Sequence, residues 1–251
     1  MRLMWRWWLL ISLMGCGRIN VDSLVADAQN DSALPEDGSL PVDVPSPQGW
    51  ELVQTAAAER AISLGVTELG AQSLIVVAMQ IDPRGMVTAV TDNSNCNSYT
   101  EITDAYAFCI ASKLYIYYAK SSSACSGATK IDLAVTAPVF AAVAWEVSGI
   151  RSDDPVDTAL TLTEQPDTTS PRGPRITTST DGEFVVSVML VDNIVSGIHP
   201  GNEFTNDQLV FDNGWAHLTD PMAKAGTYQA QWDQPMAGAY CTSAVAFKVA
   251  P

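Results

Sequence analysis

The chain has 251 residues, with 28 acidic side chains against 13 basic ones, a formal net charge of −15 at pH 7, 47% hydrophobic residues and 16% charged. No cluster of Lys or Arg occurs in it, so nothing in the sequence can track a phosphate backbone, and nucleic acid is excluded as a partner. Acidity of this degree favours solubility and repels anionic surfaces without specifying a fold.

At the N-terminus, Arg2 and Arg6 precede an apolar stretch from Trp7 to Met14, and small Gly15 stands before Cys16. That order and length match a secretory signal, and the stretch is too short to span a bilayer. Leu13-Met14-Gly15-Cys16 resembles the lipobox of bacterial lipoproteins. The resemblance implies cleavage before Cys16, acylation of that cysteine, and anchoring by more than one acyl chain, which makes attachment stable where a single chain is marginal. Gly17 follows the cysteine where an Asp would favour retention at the inner membrane, so the resemblance implies an outer-membrane protein on its periplasmic or cell-surface face. The membrane is then a partner through the lipid. With residues 1–15 removed, 13 minus 2 leaves 11 basic side chains against 28 acidic ones.

Residues 16–48 carry Asp22, Asp27, Asp31, Glu36, Asp37 and Asp43 together with Pro35, Pro41, Pro45 and Pro47, and no aromatic residue follows Cys16 in this segment. Such a composition cannot bury a core. It reads as an extended tether whose flexible-coil length is roughly 30 Å. Residues 49–251 are then one domain, and the stretch from Gln165 to Thr180, rich in Pro and Gly, is a long surface loop within it.

Within the domain the signal is strand after strand. Ser73 to Ile81 (SLIVVAMQI), Val139 to Val147 (VFAAVAWEV) and Phe184 to Val191 (FVVSVMLV) are apolar on both faces, as central strands between packed layers are. Thr129 to Thr136 and Gly226 to Trp232 alternate apolar and polar residues, the period of a strand wet on one face. Further strands are expected at Ala61 to Thr67, Met86 to Thr91, Ser98 to Ile102, Cys109 to Tyr118, Phe204 to Phe211 and Tyr240 to Val249. Turn signals such as Asp92-Asn93-Ser94-Asn95, Asp181-Gly182 and Asn213-Gly214 separate them, and no helical period appears. The predicted fold is all-β, a two-sheet antiparallel sandwich of jelly-roll-like type.

With Cys16 assigned to lipid, Cys96, Cys109, Cys125 and Cys241 form an even set in an exported protein, which predicts two disulfides. Three connectivities are open. The short connection between the first two favours Cys96 with Cys109, leaving Cys125 with Cys241. The four lack any C-x-x-C pair, which argues against zinc.

The succession LIVVAM, AVTDNSNCNSYT, LYIYYAK, VAWEVSGI, SDDPVD, TTSTDGEFVVSVMLVDN, GNEFT, AGTYQAQWDQ and SAVAFK resembles a family of exported bacterial β-sandwich modules. Members of that family occur in lipoproteins, multidomain surface proteins and phage-like structural proteins, and it has no catalytic signature. The resemblance implies the sandwich and a surface or binding role, and supplies no functional residue.

Several side chains are candidates for chemistry. His199 and His217 are the only histidines, neither in a metal-pair spacing, and no G-x-S-x-G elbow accompanies them. His199 lies in the tight loop Gly197-Ile198-His199-Pro200-Gly201, where a histidine is normally solvated. Glu146 sits in an apolar strand on the face opposite Trp145 and Val147; its bland role is a hydrogen bond to a neighbouring strand or loop, its active one the general acid of a glycan hydrolase with a second carboxylate. Asp153, Asp154 and Asp157 are the densest oxygen cluster and the candidate calcium site, calcium being the one cofactor the residues suggest. Tyr115 and Tyr117 share one face of LYIYYAK and are candidates for a carbohydrate platform, as is Trp215 beside Asn213-Gly214. The resulting expectation is a lipid-anchored envelope module with a non-catalytic binding or structural role, its partner a glycan or an envelope protein. The alternative is a secreted glycan-active hydrolase using paired carboxylates.

Overall fold

A computed structural model describes residues 49–109, 111–120 and 127–251. The leader, Cys16, the acidic tether and Cys125 lie outside the described residues. In chain order the strands are β1 (Glu51–Glu59), β2 (Ser63–Gly65), β3 (Leu74–Ile81), β4 (Val87–Asp92), β5 (Tyr99–Glu101), β6 (Ala107–Cys109), β7 (Ser112–Lys120), β8 (Lys130–Val135) and β9 (Val139–Ser148). The second half adds β10 (Val156–Thr168), β11 (Ile176–Thr177), β12 (Phe184–Val191), β13 (Gly197–Ile198), β14 (Phe204–Val210), β15 (Asn213–Leu218), β16 (Thr227–Tyr228), β17 (Trp232–Asp233) and β18 (Gly238–Phe247). One 3₁₀ turn, Thr103–Ala105, is the sole helical element among the described residues.

Two sheets form the sandwich. The first runs β1-β9-β3-β7-β5 with β6 also paired to β7, and the second runs β10-β18-β12-β15-β14. Every pairing among these strands is antiparallel. A three-stranded sheet, β2-β8-β4, and two short ribbons, β11-β16 and β13-β17, complete the strands.

The doubly apolar runs follow from this layering. Leu74, Val76 and Ala78 of β3, Val143 and Trp145 of β9, and Phe184, Val186 and Val188 of β12 meet in the core between the sheets. The alternate residues of β3, namely Ile75, Val77, Met79 and Ile81, pack with Leu64, Ile131 and Leu133 of the three-stranded sheet. On the far side of the second sheet, Val185 and Met189 pack with Ile176, Tyr228 and Trp232 of the ribbons. A strand with apolar neighbours on both faces has no polar period to display.

Three sequence expectations change here. The run Gly226 to Trp232 is divided between β16 and β17, because its two ends pair with different partners, β11 and β13. The expected loop from Gln165 begins inside β10, a 13-residue edge strand paired along β18. The cysteine pairing also differs: Cys109 bonds Cys241 across the sandwich, with the Cα atoms 5.9 Å apart. Cys109 ends β6, whose hairpin with β7 turns it into the inter-sheet core, while Cys96 follows β4 in the other layer. Cys96 is itself disulfide-bonded.

Candidate functional site

At one end of the sandwich, where β3, β12 and the β14–β15 hairpin end and β7, β9 and β18 begin, the two sheets part around a cleft of about 290 Å³. Its floor is polar and buried. Gln80, 6% exposed, donates from Nε2 to Ser112 Oγ at 3.1 Å and accepts at Oε1 from Asn213 Nδ2 at 2.8 Å. Asn213 Oδ1 in turn accepts from Val191 N at 3.0 Å, so the chain of amides ties β3, β7, β12 and β15 together. The Cys109–Cys241 bridge lies beside it, and Leu190, Phe140, Phe211, Tyr240, Glu164 and Asp192 complete the wall and rim. The volume sits at the lower end of the range for small-molecule pockets.

The rim is backbone-strained. Among the described residues seven non-glycine positions have positive φ, and of these Glu164 at 49° and Phe211 at 52° line the cleft while Asp212 at 60° adjoins it. Phe211 and Asp212 are the two central residues of the β14–β15 hairpin, since Val210 pairs directly with Asn213. A two-residue hairpin of this kind calls for Asn-Gly, and Asn213-Gly214 follows immediately, yet it does not make the turn. Asn213 is held by its amide network, and a Cβ on Gly214 would lie 2.4 Å from Trp232 Nε1. Packing therefore claims the Asn-Gly pair and pushes an aromatic residue into the left-handed region, at a cost of order 1–3 kcal/mol. The surroundings hold it there: Phe211 N donates to Glu59 Oε1 at 2.6 Å, its ring stacks on Phe140 at 5.3 Å, and Arg60 lies 5.7 Å from the ring centre.

The aromatic candidates sit elsewhere. Tyr115 and Tyr117 are 8% exposed and face the three-stranded sheet, in a row with Tyr106 whose ring centre is 5.0 Å from that of Tyr115. Tyr117 donates to Glu101 Oε2 at 3.1 Å, and burial first, then the charge of Glu101, pushes its hydroxyl well above the usual range. The predicted platform is thus covered by a layer that the strand pattern does not announce. Trp215 is fully buried between the sheets and donates to Val210 O at 3.2 Å, so it is a core residue and not a loop ligand.

Among the acids, Glu146 has both oxygens occupied. Oε1 accepts from Gly70 N and Oε2 from Gln54 Nε2, each at 2.6 Å, and the side chain lines none of the described clefts. Its structural role is the bland one. Asp153 pairs with Arg151 at 3.1 Å, Asp154 with Lys248 at 3.3 Å, and Asp157 accepts from Ser179 N and Oγ, so the three are drawn to separate partners. Among the described residues no group of three or more His, Cys, Asp or Glu side chains is placed to hold a metal.

The histidines divide. His199 pairs through Nδ1 with Asp233 Oδ1 at 2.9 Å on the half-exposed β13–β17 ribbon. His217 is buried between the sheets, with Nδ1 2.7 Å from Asp207 Oδ1 and its ring 5.5 Å from that of Trp50. A bulge between Asn206 and Gln208 frees Asp207 from the β14 ladder and turns it inward, where Oδ2 also accepts from Trp145 Nε1 at 2.8 Å. This cross-sheet lock was missed from sequence. Its signal was His217 standing two residues from Trp215, hence on the same face of one strand.

Compared with protein families, curated proteins and solved structures, the chain has no match.

Proposed function

We propose that this chain is an exported module, held at the outer membrane by lipid on Cys16, that binds a ligand in the end cleft without transforming it. The observation that carries the reading is the cleft itself: a buried amide floor, a disulfide beside it, and a rim kept in a strained conformation. Strained residues persist where the surroundings over-determine them, and they concentrate at ligand clamps. Aromatic rings beside hydroxyl and amide groups suit a carbohydrate, so a glycan of the cell envelope is the proposed ligand class. Export is supported by the lipobox spacing at Cys16 and by the disulfides, which belong to oxidising compartments.

The test has two arms. In a bacterial host, the full chain should incorporate labelled palmitate and fractionate with outer membranes, and Cys16→Ala should do neither. On a glycan array, the full chain should bind specifically and a Phe211→Ala variant should not; binding to no glycan sinks the ligand reading. A hydrolase reading retains one favouring observation, since Glu164 and Asp192 place two carboxylates in one recess. Product analysis of array-positive oligosaccharides decides between the two: turnover abolished by Glu164→Gln or Asp192→Asn would replace binding by hydrolysis.

A further inference from the structure

The charges that line the end cleft are one-sided, although Arg60 stands over the Phe211 ring at its rim. Glu164 and Asp192 line it, and no Lys, Arg or His does so among the described residues. Neither carboxylate has a hydrogen bond or ion-pair partner among the described residues. At the opposite end of the sandwich, by contrast, Asp153, Asp154 and Asp181 are each paired to a cation. The rim therefore offers two carboxylates, unpartnered among the described residues, next to the apolar surfaces of Phe211 and Leu190.

The floor adds an unused donor. Ser112 is 4% exposed and its Oγ accepts from Gln80, while nothing among the described residues accepts the Ser112 hydroxyl proton. A serine hydroxyl carries one donor and two acceptor positions, so a ligand reaching the floor meets both. Tyr240 turns its ring to the ribbon side of the second sheet, where its hydroxyl accepts from Arg172 N at 3.4 Å. At the roughly 30 Å³ a water occupies in the liquid, the cleft of about 290 Å³ has room for a group the size of one monosaccharide.

We infer that the end cleft takes a sugar residue bearing a free, protonated amino group, with the ammonium between Glu164 and Asp192 and ring hydroxyls on Ser112 and Gln80. This deepens the binding role proposed above and rests on it. Anionic sugars are repelled by the two acids, and N-acetylated ones lack the charge that the rim recognises.

Nuclear magnetic resonance titrations of the full chain with glucosamine, glucose, N-acetylglucosamine and glucuronate test the assignment. Glucosamine should shift the resonances of Tyr240, Ser112 and Phe211 with an affinity at least ten-fold above that of glucose. The preference should collapse when the pH passes above the amine's pKa. A Glu164→Gln, Asp192→Asn double variant, with an unchanged melting temperature, should bind glucosamine and glucose alike, and Ser112→Ala should weaken both sugars together. Equal or tighter binding of glucose or glucuronate at the same resonances would overturn the ammonium assignment and leave the cleft as a binding site. Shifts confined to residues outside the cleft, or none with any of the four while an array glycan binds elsewhere, would overturn the assignment and the cleft reading together.

Discussion

The Cys109–Cys241 bridge joins the first sheet to the second across 132 residues of sequence. Replacing both cysteines by alanine frees that loop in the unfolded chain, and the chain-entropy relation puts the loss at about 5 kcal/mol at 25 °C. Both side chains are buried, so the missing sulfur atoms subtract packing in the same direction. Against the 5–15 kcal/mol typical of whole domains, the bridge supplies a third or more of the margin. Urea unfolding followed by tryptophan fluorescence gives both quantities needed. The midpoint should fall steeply, and the denaturant slope should rise because the uncrosslinked chain exposes more surface. A loss below about 1 kcal/mol with an unchanged slope would refute the argument, since the unfolded state would then owe nothing to the crosslink.

Three further outcomes are expected. Asp207→Ala strands Trp145 Nε1 and His217 Nδ1 between the sheets and should cost about 3 kcal/mol in urea unfolding, with Asp207→Asn recovering part of it. Gly214→Ala sets a methyl 2.4 Å from Trp232 Nε1 and should lower stability by about 1–3 kcal/mol; an unchanged melting temperature would show that the indole has room to move. Burial foremost, aided by the charge of Asp157, raises the Glu183 carboxyl above its ordinary 4.5. A raised carboxyl favours the folded state in its protonated form, so that contribution is present below the unfolded value and fades as pH rises through the folded one. The stability of the native chain relative to Glu183→Gln should therefore decline as pH climbs above about 4.5, and a pH-independent difference would contradict it.

The central strands were legible because burial on both faces leaves nothing but apolar residues to read: SLIVVAMQI, VFAAVAWEV and FVVSVMLV coincide with β3, β9 and β12. The edges were not. β1 (ELVQTAAAE) is rich in Ala and Glu, residues with little β preference, and β10 reads as Thr, Asp and Gln with a Pro inside it. Both lie at sheet margins, where one flank of the backbone is unpaired and side chains are half exposed, so register with β9 and β18 decides their conformation. The cleft was invisible for another reason. Glu164, Asp192, Phe211 and Tyr240 are 28, 19 and 29 positions apart in the sequence, and only the pairing of the strands brings them to one end. The Asn213-Gly214 turn signal misled because it states what a backbone can do and not what packing requires of it.

Trp50 ends the account. Among the described residues it is the first large buried side chain, wedged 5.0 Å from Phe184 and 5.5 Å from His217, directly ahead of edge strand β1. Gly49 before it is seated so closely that a Cβ there would fall 2.2 Å from Pro221 O. Any tension transmitted through the residues that precede Gly49 arrives at this indole before it reaches a single bond of the β1–β9 ladder. Beyond it, β1 would peel from β9 one rung at a time, beginning at Glu51 opposite Ser148. The mechanical yield point of the domain under N-terminal load is thus set by the extraction of one side chain, and trimming Trp50 to alanine would turn a latch into a zip.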